Sequence, residues 1–231
     1  MDPHVGLRIV KEFQRPPISL VNRYRDIPAS NISDVMNRFY CMHEYIKAMT
    51  KHTMVGVAST VKVPGSDNTL IHYALDLIEP GDVLIVDGGS DVNRALMGEI
   101  MFTYGKQRGL AGVVVDGAIR DIDCLDYLDL PVYAKGITPQ GPYKNGPGEI
   151  NVPVACGGQV VFPGDIIVGD TDGVVVIPQR DAAYIIDLAE AKKEAEIVRI
   201  EGYRRGELDR EAHISEYEEL LKKLGAQWLD S

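Results

Sequence analysis

An arginine and an aspartate stand side by side at Arg120-Asp121, directly after the apolar run Gly112-Val113-Val114-Val115 and the linking residues Asp116-Gly117-Ala118-Ile119. A guanidinium can grip a carboxylate through two parallel hydrogen bonds, and a neighbouring carboxylate can hold a hard divalent cation directly or through water. The pair therefore combines an anion clamp with a metal ligand, although the same two residues also fit a plain surface ion pair at a helix start. A second segment runs from Asp87-Gly88-Gly89-Ser90 through Ala95-Leu96-Met97 to Gly98-Glu99-Ile100-Met101. Glycines there let backbone amides approach a ligand, and a helix beginning near Gly98 would aim its free N–H groups at a carboxylate. Glu99 is placed to orient a water or to tune a metal. A glycine-rich turn of this kind serves purely structural ends as often.

Other chemistry is less well served. Asp123 and Asp126 follow Asp121 on an expected helix, where first-turn acids favour the helix dipole. His4, His43, His52, His72 and His213 lack the close spacing of a zinc site. No lysine falls in either segment, so a Schiff-base route has no candidate. The stretch Lys135 to Gly148 is rich in glycine and proline and reads as a loop that covers a site or connects strands, with Tyr143 and Lys144 as candidate substrate contacts.

The elements that must position these residues alternate. Met54 to Val63 and Gly173 to Ile177 read as strands, as do shorter runs at Gly112 to Val115, Val132 to Ala134 and Val160 to Phe162. A near-repeat, Pro80-Gly81-Asp82 and Pro163-Gly164-Asp165, feeds a further apolar strand each time through a tight turn. Helices fit about Asn31 to Arg38, capped by Ser30 or Ser33, then residues 68–78, Ile100 to Gln107 and Asp121 to Asp126. A long charged helix from about Arg180 to Arg205 and an amphipathic segment from Ser215 to Leu224 close the chain. On the long helix, Ile185, Ile186, Leu188, Ala189, Ala195 and Ile197 suggest one apolar face. The fold class is α/β with a helical tail. The expected division is a proline-rich N-terminal arm over residues 1–29 that lies extended along a surface, a main domain over 30–206 and a helical extension over 207–231.

Composition narrows the class. The 231 residues are 45% hydrophobic and 25% charged, enough for one large domain with a sizeable core. Apolar runs are strand-sized, and the first thirty residues carry scattered charge, so neither a membrane span nor an export signal is expected and the reading is cytoplasmic. Cys41, Cys124 and Cys156 are far apart and odd in number, which favours free thiols. A net charge of −10 opposes nucleic-acid binding. An anionic small molecule remains open, because a site responds to its nearest charges.

The turn Gly98-Glu99-Ile100-Met101, followed by Val115-Asp116-Gly117-Ala118-Ile119-Arg120-Asp121, resembles the paired signature of the RraA-like proteins, which include the 4-hydroxy-4-methyl-2-oxoglutarate aldolases. The resemblance runs from about Ser30 to Gly206 and includes Gly164-Asp165 and Gly169 to Val174. It implies a compact β/β/α swivelling-type domain and a homotrimer or homohexamer with sites between subunits. It further implies that Gly98 to Met101 bind a pyruvyl group through backbone amides, that Arg120 grips the substrate and stabilises an enolate, and that Asp121 holds Mg2+ or Mn2+. A late-helix glutamate of a neighbouring subunit, Glu194 or Glu196, would complete the metal's outer shell. The implied activity is a class II aldolase or oxaloacetate decarboxylase, a carbon–carbon lyase that releases pyruvate. The same resemblance admits two alternatives: a non-catalytic regulator that binds a ribonuclease, and a lyase or isomerase acting on another hydroxy or sugar acid.

Overall fold

The computed structural model describes residues 4–207 and 209–229; Pro3, counted above with the arm, lies outside them. Runs of valine and isoleucine become strands buried on both faces, as parallel strands beneath helices are. β1 (Lys47–Ala48), β2 (Met54–Lys62), β3 (Asp82–Asp87), β4 (Ala95–Met97), β5 (Gly112–Ile119), β6 (Val132–Ile137) and β7 (Glu149–Ile150) belong to one sheet, together with β10 (Ile166–Asp170) and β11 (Gly173–Ile177). Its order is β1-β6-β5-β3-β2-β10-β11, with β4 beside β5 and β7 beside β2, while β8 (Val154–Cys156) and β9 (Gln159–Val161) pair separately. Strands β2, β3, β5 and β6 run parallel, with Asp87 in register with Asp116 at the end of the β3–β5 ladder. Both halves of the Pro-Gly-Asp near-repeat form the expected turn: Gly81 and Gly164 take φ of 95° and 97°, and Asp82 and Asp165 accept the Glu79 and Phe162 amides at 2.9 Å each.

Helices α3 (Thr69–Leu77), α4 (Glu99–Arg108) and α5 (Leu125–Leu128) bury Leu75, Phe102 and Leu125 against Val113 and Val115 of the sheet. Helices α1 (Ile18–Arg23) and α2 (Ala29–Val35) and the start of α6 (Ala182–Arg204) pack Val21, Ile32 and Ile186 with Val168 and Ile177. Residues up to Glu190 form one compact unit, and those from Ala191 form a second, which holds the rest of α6 and α7 (Arg210–Lys223). The mixed α/β, swivelling-type architecture with C-terminal helices expected from sequence is the one observed. No described helix is long and apolar enough to cross a membrane, and all three cysteines are free thiols.

Three local expectations change. Part of the N-terminal arm is core: Val21, Tyr24 and Ile27 are buried, and the Tyr24 hydroxyl donates to the Ala182 carbonyl at 2.7 Å. The reason lies in Pro17 and Pro28, which suggested an extended surface segment but sit at the starts of α1 and α2, where a missing N–H costs nothing. Neither Ser30 nor Ser33 caps α2; the Ala29 amide is instead met by the Asp170 carboxylate at 2.9 Å. On α6, Ile185, Ile186 and Ala189 are buried as expected, but Ala195 and Ile197 lie in the second unit and are exposed.

Candidate active site

The two signature segments meet because β4 lies parallel beside β5, with Met97 in register with Ile119. That pairing places the start of α4 against the residues that leave β5: the Arg120 amide donates to the Met97 carbonyl at 3.0 Å, and the Glu99 amide donates to Asp121 Oδ2 at 3.2 Å. Arg120 Nε lies 3.4 Å from the same carboxylate oxygen. The other oxygen of Asp121 takes no hydrogen bond or ion pair from the described residues. Asp121 adopts φ 57°, ψ 38°, a left-handed conformation that aspartate tolerates better than most residues, and a 3-10 turn over Ile122–Cys124 follows it.

Two glycines make room for this arrangement. A Cβ on Gly98 would sit 2.6 Å from Asp121 Oδ2 and 3.0 Å from Arg120 Cγ, so the helix can start against the pair only without a side chain. On the other side of the guanidinium, a Cβ on Gly141 would lie 3.1 Å from an Arg120 terminal nitrogen. Gly141 belongs to the loop after β6, which Arg94 fastens through the Gly141 carbonyl at 2.8 Å, the Tyr143 hydroxyl at 2.9 Å and a cation–π contact with the Tyr143 ring at 4.2 Å.

The result is a cleft of about 180 Å³ lined by Gly98, Ile100, Met101, Arg120 and Asp121 together with residues that sequence reasoning did not place here, Asn68 and His72. Lys144 lines it as well, as its loop position suggested, whereas Tyr143 is occupied in holding the loop. Five of the six residues proposed for the first unit's site thus surround one space. The sixth, Glu99, contributes its amide to Asp121, while its carboxylate accepts the Tyr127 hydroxyl, a bond that pushes the tyrosine up to about 12. Burial, reinforced by the Lys144 charge, lowers the pKa of His72 and favours the neutral ring. Burial, with the charges of Glu99 and Asp121, pushes the Cys124 thiol up to about 11, which removes it as a nucleophile at neutral pH.

The two remaining candidates, Glu194 and Glu196, lie on the part of α6 that belongs to the second unit, where Glu194 is exposed and Glu196 pairs with Lys192 at 3.0 Å. Among the described residues, no group of three or more His, Cys, Asp or Glu side chains is arranged to hold a metal. One carboxylate with a free oxygen, at the edge of an open cleft, fits the way Mg2+ or Mn2+ is often held, by one or two carboxylates with waters and substrate oxygens filling the rest.

Residues 29–176 match the RraA-like family described as Aldolase/RraA, and the chain belongs to that family. A protein of Halalkalibacterium halodurans named "Putative 4-hydroxy-4-methyl-2-oxoglutarate aldolase" is 39% identical over 177 residues, which cover 76% of this chain and 84% of that protein. The fold is shared with Streptomyces coelicolor RraAS2, described as an unusual member of the RNase ES inhibitor RraA protein family (TM-score 0.73, 30% identity, 81% of this chain and 99% of that one). It is shared as well with the RNA-processing inhibitor RraA from Thermus thermophilis, at a TM-score of 0.62 and 31% identity over 67% of this chain and 94% of that one.

Proposed function

We propose that this protein is a divalent-cation-dependent lyase that cleaves a 4-hydroxy-2-oxo acid, or decarboxylates oxaloacetate, to release pyruvate through an enolate. The observation that carries this reading is the convergence of Arg120, Asp121 and the start of α4 on one cleft. Its basic side chains, Arg120 and Lys144, suit an acidic substrate despite the chain's net charge of −10. The aldolase name carried by the relative at 39% identity supports it further.

In this reading the first amides of α4 receive the substrate carboxylate, since the start of a helix leaves N–H groups without intrahelical acceptors. Arg120 donates to the 2-oxo oxygen. Asp121 is the residue that would hold Mg2+ or Mn2+, which when bound supplies Lewis-acid polarisation of the 2-oxo group. As the C3–C4 bond breaks, its electron pair moves into the enolate, and negative charge grows on the oxygen that Arg120 faces. The guanidinium therefore stabilises the transition state more than the ground state. Glu99, fixed by Tyr127, orients the water that takes the proton from the 4-hydroxyl. With oxaloacetate the leaving group is carbon dioxide, and no hydroxyl proton has to be removed. Sites shared between subunits of a homotrimer or homohexamer, with a partner's Glu194 or Glu196 completing the outer shell, belong to the same proposal.

Pyruvate release from both compounds, measured with Mg2+ or Mn2+ and with chelator, tests it. Metal-dependent release from either compound is expected. Its absence from both would favour the regulator reading, which the likeness to two proteins described as RNase or RNA-processing inhibitors keeps alongside, or a lyase or isomerase for another hydroxy or sugar acid.

A further inference from the structure

We infer that His72 handles the second proton of the reaction: its imidazole protonates C3 of the pyruvate enolate and, in reverse, removes a methyl proton from bound pyruvate. This rests on the lyase reading above, which accounts for the hydroxyl proton and for the charge on the enolate oxygen but leaves C3 without a proton donor.

The place of His72 fits that task. It lies near the start of α3, half-buried, and lines the cleft together with Gly98, Arg120, Asp121 and Lys144. It also lines a second hollow, of about 480 Å³, between α3 and α4. Tyr73 and Tyr104, both 41% exposed, border that outer hollow with Asp76 and open it to solvent. Three residues are common to the two spaces, and of these Ile100 and Met101 are apolar, so His72 alone can pass a proton from one to the other.

The ring is also uncommitted. Neither nitrogen takes a hydrogen bond or an ion pair from the described residues, and neither is sealed from solvent. The one charge that acts on the ring belongs to Lys144, which lines the same cleft, and no hydrogen bond or ion pair joins the ring to Asp121. The other ionisable side chains of the cleft have different work: Arg120 and Lys144 are binding cations, and Asp121 is the metal ligand. Histidine is the side chain that both takes up and releases a proton near neutral pH.

Once the C3–C4 bond has broken, the C2–C3 π pair of the enolate takes the proton from the imidazolium. The ring N–H bond breaks, a C3–H bond forms, the C2 oxygen returns to a carbonyl, and the ring is left neutral. A proton from solvent, arriving through the outer hollow, recharges it. The same step follows loss of carbon dioxide from oxaloacetate, since both substrates pass through one enolate.

Methyl exchange of pyruvate in D2O with Mg2+ or Mn2+ isolates this step, because it passes through the enolate with no carbon–carbon bond broken. By NMR, the wild-type chain is expected to exchange the methyl protons in a metal-dependent way, and His72→Asn to do so at least about 100-fold more slowly, the scale of a positioned acid–base group. Carbon dioxide release from oxaloacetate, followed in a single turnover with enzyme in excess, precedes the protonation of C3 and is expected to change by less than about 3-fold. Equal loss in both assays would mark a structural or binding role and overturn the inference, as would unchanged exchange. His72→Gln repeats the test with a different side-chain length. Wild-type protein that releases pyruvate yet leaves its methyl protons unexchanged overturns the inference with no variant at all, so a variant that fails to fold does not shield it. If the wild-type chain releases pyruvate from neither compound, the lyase reading and this inference fall together.

Discussion

Asp116 and Asp121 are two aspartates on one short segment, and the structure gives them opposite surroundings. Asp116 sits within β5, is 6% exposed, and spends both carboxylate oxygens on its neighbours: Oδ1 accepts the Ser90 hydroxyl at 2.6 Å and Oδ2 the Gly157 amide at 2.8 Å. Asp121 lies beyond the strand with its side chain 45% exposed, holds an unusual backbone conformation, and commits one oxygen to the Glu99 amide and Arg120 while the other takes no partner from the described residues. A carboxylate with both oxygens engaged by its own chain is part of the scaffold. One with capacity left over, at the edge of a cleft, is available for chemistry.

Substitutions can break this contrast from either side. The largest effect is expected from Arg120→Lys. The lysine keeps the charge but cannot reproduce the planar fork, so pyruvate release should fall by about 100- to 1,000-fold with the fold intact by thermal melting. Gly98→Ala should lower turnover by roughly 10- to 100-fold, because the added Cβ pushes into Asp121 and Arg120 and displaces them from a productive geometry. On the scaffold side, Asp116→Ala should cost about 1–3 kcal/mol of stability in denaturant unfolding, since it strands the Gly157 amide and the Ser90 hydroxyl. The protein that remains folded should turn over close to normally, and a stability loss without an activity loss there is what separates the two aspartates.

Much of this site was legible in the sequence because it is local. The Gly98 turn and the Arg120-Asp121 pair each bring their neighbours with them, and the start of the strand between them is plain from the run Val113-Val114-Val115. The boundary between them was harder to read. Asp116-Gly117 looks like the end of a strand, yet β5 continues to Ile119 because Ser90 and Gly157 satisfy the aspartate and Leu96 packs where a Gly117 side chain would stand. Asn68 and His72 were out of reach for a different reason. Only the packing of α3 beside α4 carries them to the cleft, and the sole local sign was their four-residue spacing, which puts both on one helical face. Pro17 and Pro28 misled in the same way, since a proline reads alike in an extended arm and at the start of a helix.

The most direct measurement is the rate of metal-dependent pyruvate release by Asp121→Ala beside wild type, with the melting temperature of each recorded in the same buffer. Release is expected to fall at least about 100-fold while the melting temperature stays within a few degrees, because Asp121 holds no buried partner that its loss would strand. Wild-type release by a folded Asp121→Ala protein would contradict the assignment of this cleft as the catalytic site.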